Sequence, residues 1–159
     1  MRSTGIEIYD DFLSSDLQNL VWEYCLESSY TYGEYDTPET PPTGMVHEIE
    51  GNDIYKLFYE ETKDLVPKNF NLYRMYINCF APSECPYFHT DGEGITFLYY
   101  PQYTWDIDVG GETQFVIDNE IKGVFPIPNR LVMFDGNILH RATTFRNKHR
   151  FTVAIKYSL

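Results

Sequence analysis

Residues 85–100 read CPYFHTDGEGITFLYY. Two aromatic-rich runs flank a Gly-Glu-Gly break, the pattern of two strands joined by a turn. Within the first run, His89 and Asp91 stand two positions apart. On a strand, residues i and i+2 project to the same side, so an imidazole and a carboxylate would face one region together. Alone the pair is weak, because chance supplies it easily and a polar strand end beside a turn is its plainer meaning. Its worth depends on what surrounds it.

From Phe70 onward the same β pattern repeats. Strands are expected near NLYRMYINCF, PYFHTD, ITFLYYP, ETQFVI, IKGVFPI, RLVMFD, ILHRA and RFTVAIKY. Turn signals at Gly92–Gly94, Gly110-Gly111, Asp118-Asn119, Pro128-Asn129 and Asp135-Gly136 separate most of them. About eight short strands with regular turns imply a sandwich or barrel.

Upstream, GIEIY reads as a short strand and DFLSSDLQNLVWEYCLES as a helix. Ser14 or Ser15 can cap that helix, and Leu17, Leu20, Val21 and Tyr24 recur at helical spacing. GNDIYKLFYEETKDLVP reads as a second helix, capped by Asn52 or Asp53 and stopped by Pro67; Ile54, Leu57, Phe58 and Leu65 form its apolar face. Between them, residues 28–50 are rich in proline, glycine and acids: a long loop or a loosely paired ribbon, with Tyr32–Met45 as a candidate lid. The expectation is a mainly β, jelly-roll barrel braced by two N-terminal helices. It forms one domain, residues 1–159, divided into a helical support and lid region (1–69) and a β core (70–159).

Composition agrees with this. Of 159 residues 43% are hydrophobic and 17% aromatic, with 14 Tyr and 11 Phe, a load that suits strands. Twelve basic residues against 24 acidic ones give a net charge of −12, which repels phosphate backbones and argues against nucleic acid as a partner. Cys25, Cys79 and Cys85 follow no zinc-like spacing and read as free thiols, although Cys79 and Cys85 are close enough in sequence to meet. The opening MRSTGIEIYDDF has no apolar targeting segment and no run reaches ~18 apolar residues. These features lead to an expectation of a soluble, cytoplasmic protein without membrane contact.

A metal site needs a third ligand beyond His89 and Asp91. His47 lies in the proline-rich segment and reads as a solvated histidine, while His149 faces opposite to Arg150 on the last strand. His140, in DGNILHRA, lies on a strand that a barrel can bring beside His89. Two histidines and a carboxylate with open positions suit non-haem Fe(II). Zinc competes for that ligand set, but the H-E-x-x-H helix of zinc hydrolases is missing. In HRFTVAIKY, Arg150 and Thr152 share one face of the strand and offer a guanidinium and a hydroxyl for a carboxylate.

Taken in order, His89-x-Asp91, GGETQF, His140 and Arg150-x-Thr152 resemble the Fe(II)/2-oxoglutarate dioxygenases, most of all the prolyl 4-hydroxylase-like branch. ITFLYYPQYTWDIDVGGETQF is similar to the family's T-x-x-x-Y-x-N … W … GGET-x-F segment, and NRLVMFDGNILHRA to its G-R-L-x-x-F … H stretch. The resemblance runs from about Tyr73 to Tyr157. It implies a double-stranded β-helix (jelly-roll, cupin-like) core in which His89, Asp91 and His140 bind Fe(II). Arg150 would hold the distal carboxylate of 2-oxoglutarate, with Tyr100 assisting and Thr152 as a further candidate. Phe80 stands near where several relatives place a pocket tyrosine, and Tyr76 and Tyr87 are the candidates to replace it.

The implied activity is a hydroxylase using Fe(II), 2-oxoglutarate, O2 and, as an optional reductant, ascorbate. Its implied substrate is a peptide or protein residue, proline favoured, with Trp105 as a candidate substrate wall. Two alternatives stay open: a metal- and anion-binding barrel without turnover, and the same chemistry on nucleic acid or a small molecule.

Overall fold

The computed structural model describes residues 5–159. In chain order the first elements are β1 (Ile6–Tyr9), α1 (Ser15–Glu27), β2 (Thr31–Tyr32), β3 (Met45–Glu48), α2 (Asp53–Thr62) and β4 (Asn71–Phe80). There follow β5 (Ile95–Tyr99), β6 (Thr113–Ile117), β7 (Glu120–Val124), β8 (Leu131–Asp135), β9 (His140–Ala142) and β10 (Arg150–Ser158). They form two antiparallel sheets, ordered β1-β8-β5-β10-β4-β3-β2 and β7-β6-β9. Phe115 of β6 meets Phe134 of β8 edge to face, with ring centroids 4.9 Å apart, where the two sheets pack together.

Strand alternation decides which side chains see which neighbours. On β10, Phe151, Val153, Ile155 and Tyr157 join Met75, Ile77 and Cys79 of β4 and Phe97 and Tyr99 of β5 in one core. Val21 and Cys25 of α1 and Ile54 and Phe58 of α2 pack into that same core, so the helices cover this face. The opposite parity, Arg150, Thr152, Ala154 and Lys156, lines a cavity together with Tyr76, Asn78 and Phe80 of β4 and Thr96 and Leu98 of β5. A one-residue slip would exchange the two sets, so burial of the helix-facing row fixes which residues reach the cavity.

Both helices start at side-chain caps. Leu17 N–H donates to Ser14 Oγ (3.4 Å) and Tyr55 N–H to Asn52 Oδ1 (2.9 Å), each relieving one unpaired donor of a first turn. In α1 burial falls on Val21 and Cys25, while Leu20 of the expected apolar face is exposed. Residues 28–50 form a ribbon: β2 pairs β3, β3 pairs β4, and 33–44 loop out between them. No helix of the described residues is long and apolar enough to cross a membrane. Cys25, Cys79 and Cys85 are all free.

One expected strand is much reduced. PYFHTD contributes a single bridge, His89 to His140, instead of a full ladder. Pro86 has no N–H to give, and Asp91 N–H turns to the carbonyl of Gly136 in the β8–β9 turn (2.8 Å). A side chain at Gly136 would collide with the carbonyl oxygen of Gly92, so that close approach requires glycine.

Candidate active site

Two backbone hydrogen bonds bring the histidines together. His89 N–H donates to His140 O (3.1 Å) and His140 N–H to His89 O (3.0 Å), placing the rings 4.5 Å apart, centroid to centroid. Asp91 completes the cluster: its Oδ1 lies 3.9 Å from His89 Nε2 and its Oδ2 3.5 Å from His140 Nε2. One ligand atom from each of the three lies within 4.8 Å of the others.

The tautomers follow from the second ring nitrogens. His89 Nδ1 lies 2.8 Å from Tyr87 O, and His140 Nδ1 lies 2.8 Å from Ile138 O. A carbonyl only accepts, so each Nδ1 carries a proton, which leaves each Nε2 as the atom that faces Asp91. Such backbone contacts fix ring orientation in metal sites. Asp36, on the loop after β2, adds a carboxylate oxygen 3.4 Å from His89 Nδ1.

Burial lowers the pKa of His140 and favours its neutral, ligating form, although Asp91 pulls the other way. Burial also works against the charge of Asp91. Lys156 and His140, with hydrogen bonds from Lys156 Nζ (2.9 Å) and Thr96 Oγ1 (2.7 Å), outweigh it and hold the carboxyl below its usual range. For Lys156, burial opposes the charge, but Tyr76 and Asp91 overcome it and raise the pKa. The donor set is therefore two imidazoles and one carboxylate. That set suits a borderline divalent metal and leaves coordination positions open.

The same cavity, of about 250 Å³, is walled by Arg150. Its Nε donates to Gly111 O (2.8 Å), Nη1 to Thr152 Oγ1 (2.9 Å) and Nη2 to Thr113 Oγ1 (3.0 Å). The residue is 2% exposed, and every one of these acceptors is neutral. Glu112 acts on it only through space. A guanidinium stays charged at neutral pH, so Arg150 is a buried cation with no carboxylate among the described residues bonded to it. Gly110 and Gly111 both have positive φ, 83° and 77°, which carries the Gly111 carbonyl to Arg150, and a Cβ added at Gly111 would lie only 3.1 Å from Trp105 Cζ2 and 3.2 Å from Phe145 Cβ.

The other expected residues divide. Thr152 and Tyr76 lie on the cavity wall. Tyr100 stands behind it, its hydroxyl 2.6 Å from Thr113 Oγ1 and its ring centroid 5.5 Å from the Arg150 guanidinium. Tyr87 is 46% exposed and off the wall. Trp105 is a packing residue, grouped with Phe80, Val109 and Phe145 and donating Nε1–H to Gly110 O (2.8 Å). His47 is tied to Tyr24 Oη and Ser29 O.

Thr113, Thr96 and Lys156 are among the wall residues that the sequence does not single out. Lys156 had a visible signal, since it shares the parity of Arg150 and Thr152. The loop between β2 and β3 covers one side, with Glu34, Tyr35, Asp36 and Thr43 on the cavity wall. Glu34 pairs with Arg74 (2.9 Å), and Asp36 Oδ2 accepts from Thr43 Oγ1 (3.0 Å) and Tyr87 N–H (2.8 Å).

No family model matches the sequence, and no curated protein does. Solved structures do match. A prolyl hydroxylase from Trichoplax adhaerens, in complex with a peptide fragment of the hypoxia-inducible factor oxygen degradation domain, superposes with a TM-score of 0.79 at 18% identity. That match covers 98% of this chain and 84% of that one. The fold is that of the prolyl-hydroxylase-like 2-oxoglutarate/Fe(II) oxygenases. A Pseudomonas putida prolyl-4-hydroxylase gives 0.74 at 15% identity, over 96% of this chain and 91% of that one. HygX from Streptomyces hygroscopicus, with nickel and 2-oxoglutarate bound, gives 0.75 at 9% identity, over 97% and 82%.

Proposed function

We propose that the protein is an Fe(II)- and 2-oxoglutarate-dependent oxygenase that hydroxylates a peptide or protein residue, with proline favoured. One observation carries this reading: a fully buried Arg150, to which no carboxylate of the described residues is bonded, shares a cavity with two histidines and a carboxylate of metal-ligand geometry. A metal alone gives no reason to bury that charge. A carboxylate reaching from the metal to the guanidinium does. Similarity to structures that hold nickel with 2-oxoglutarate, or a peptide, supports the choice of cosubstrate and substrate class.

On this reading His89 Nε2, His140 Nε2 and an oxygen of Asp91 hold the metal, while Arg150 orients the far carboxylate of the cosubstrate. With Fe(II) bound, O2 would be the oxidant and 2-oxoglutarate would supply two electrons, one oxygen atom entering succinate as CO2 leaves and the other entering the substrate as a hydroxyl. The protein supplies position. Thr113 and Thr152 hold the guanidinium plane, and the Tyr87 and Ile138 carbonyls hold the imidazole rings. Phe115 and Phe134 pack around His140 and exclude water from that side. The loop between β2 and β3 is the lid of this reading.

Titration of wild type, Asp91→Ala and Arg150→Ala with Mn(II) and 2-oxoglutarate tests the site. The expected result is loss of metal in the first variant and of 2-oxoglutarate affinity alone in the second. If both variants keep both ligands, the site is wrong. For the substrate, a proline peptide should gain the mass of one oxygen atom in a reaction that needs His89. Succinate formation only with a free amino acid, nucleobase or lipid would reject the peptide assignment.

A further inference from the structure

The cavity has a second cation, at the metal end. Lys156 lies on the same face of β10 as Arg150 and is 9% exposed, an unusual burial for lysine. It sits opposite Arg74 of β4 and Thr96 of β5, and its Nζ lies 2.9 Å from Asp91 Oδ1 and 5.3 Å from the Tyr76 ring centroid. Other charges on the wall have partners elsewhere. Arg74 bonds Glu34 and Glu48, and Asp36 bonds Thr43, Tyr87 and, more distantly, His89. Asp91 is the one carboxylate bonded to Lys156 among the described residues.

Two features make this arrangement incomplete. An ammonium has three N–H donors; Asp91 takes one and the Tyr76 hydroxyl competes for another, so at least one is left for the cavity. Thr96 and Lys156 each occupy one oxygen of Asp91, so a metal drawing on that carboxylate competes with Lys156 for its negative charge. A loaded site thus leaves Lys156 short of negative charge, beside the positions where a metal-bound ligand would sit.

We propose that Lys156 is a second anion-holding residue of this cavity, donating to the carboxylate that the cosubstrate presents at the metal while Arg150 holds the far one. This rests on the oxygenase reading given above. It also specifies the ligand class further: a 2-oxo acid with a carboxylate at each end meets a cation at each end. The competing role is a brace that holds Asp91 for the metal without touching the ligand.

Lys156→Met separates the two roles. The probes are Mn(II), then 2-oxoglutarate and 2-oxobutyrate on Mn(II)-loaded protein, read by calorimetry. The ligating role predicts that Mn(II) binds at least as tightly as in wild type, because a cation opposing it is gone. It also predicts that 2-oxoglutarate binds about tenfold to a hundredfold more weakly, the scale of one charge-assisted hydrogen bond. 2-Oxobutyrate lacks the far carboxylate, so its affinity should fall in Lys156→Met and stay unchanged in Arg150→Met. Lys156→Arg should recover part of the loss, and Lys156→Gln is read alongside in case methionine disturbs folding.

Unchanged 2-oxoglutarate affinity in Lys156→Met overturns the proposal. So does a loss of Mn(II) binding that accounts for the whole loss of 2-oxoglutarate, which is the mark of a brace. If Arg150→Met also leaves 2-oxoglutarate untouched, the oxygenase reading itself fails, beyond the role of Lys156.

Discussion

Replacing Arg150 with methionine removes the buried charge on which the cosubstrate assignment rests. Gly111, Thr152 and Thr113 take one N–H from each guanidinium nitrogen and the Tyr100 hydroxyl competes for a fourth, leaving at least one of the five. A cosubstrate carboxylate would accept a charge-assisted hydrogen bond from what remains. Truncating one partner of a buried, hydrogen-bonded charge pair costs about 3–5 kcal/mol. At about 1.4 kcal/mol per tenfold, 2-oxoglutarate affinity should fall by roughly two to three and a half powers of ten. The ligand-free protein should behave differently. Three lost hydrogen bonds, each worth about 1 kcal/mol net, are set against removal of a buried cation that lacks a carboxylate, so its melting temperature should not drop.

Thermal unfolding with Mn(II) present reads both effects. At a hundred times its Kd a ligand stabilises by about 2.7 kcal/mol, a rise of about 5–11 °C for a chain of this size. Wild type should show that rise with 2-oxoglutarate, and Arg150→Met should show at most about 1–2 °C at the same concentration. A variant that keeps the wild-type rise would refute the assignment of Arg150.

Three other outcomes follow from the structure. His140 has an ordinary pKa when unfolded and a depressed one when folded, so below about pH 6.5 the unfolded chain binds more protons. Metal-free stability should therefore fall as pH drops below that value, and a His140→Asn variant should lack that part of the slope in urea denaturation. Phe58 is fully buried and its ring lies 5.2 Å from that of Tyr99, so Phe58→Ala should cost about 3–5 kcal/mol by urea unfolding. Asp36→Ala removes the acceptor for Thr43 and Tyr87 N–H, and hydrogen exchange in residues 33–44 should speed up while the β10 amides keep their protection.

The alternation of β10 made the site legible. Phe151, Val153, Ile155 and Tyr157 could only be one face of a buried strand, which put Arg150 and Thr152 together on the other. His89 and Asp91 were readable as a pair, but their link to His140 depends on two backbone hydrogen bonds between distant segments. Lys156 had the right parity, yet lysine normally seeks solvent, and its burial depends on a carboxylate 65 residues away. Asp36 reaches His89 because the ribbon between α1 and α2 folds over the cavity, which composition does not disclose. Trp105 and Tyr100 carried the right residue types, but a ring beside a cavity and a ring behind its wall look alike in one dimension.

The most direct measurement is release of labelled CO2 from 2-oxoglutarate carrying the label in its 1-carboxylate. Wild type and Asp91→Ala would each be incubated with Fe(II) and O2, with circular dichroism showing that both are folded. The oxygenase reading predicts release by wild type that rises when a proline-bearing peptide substrate is added, and only background release by Asp91→Ala. Equal release from the two folded proteins, with or without peptide, would contradict it.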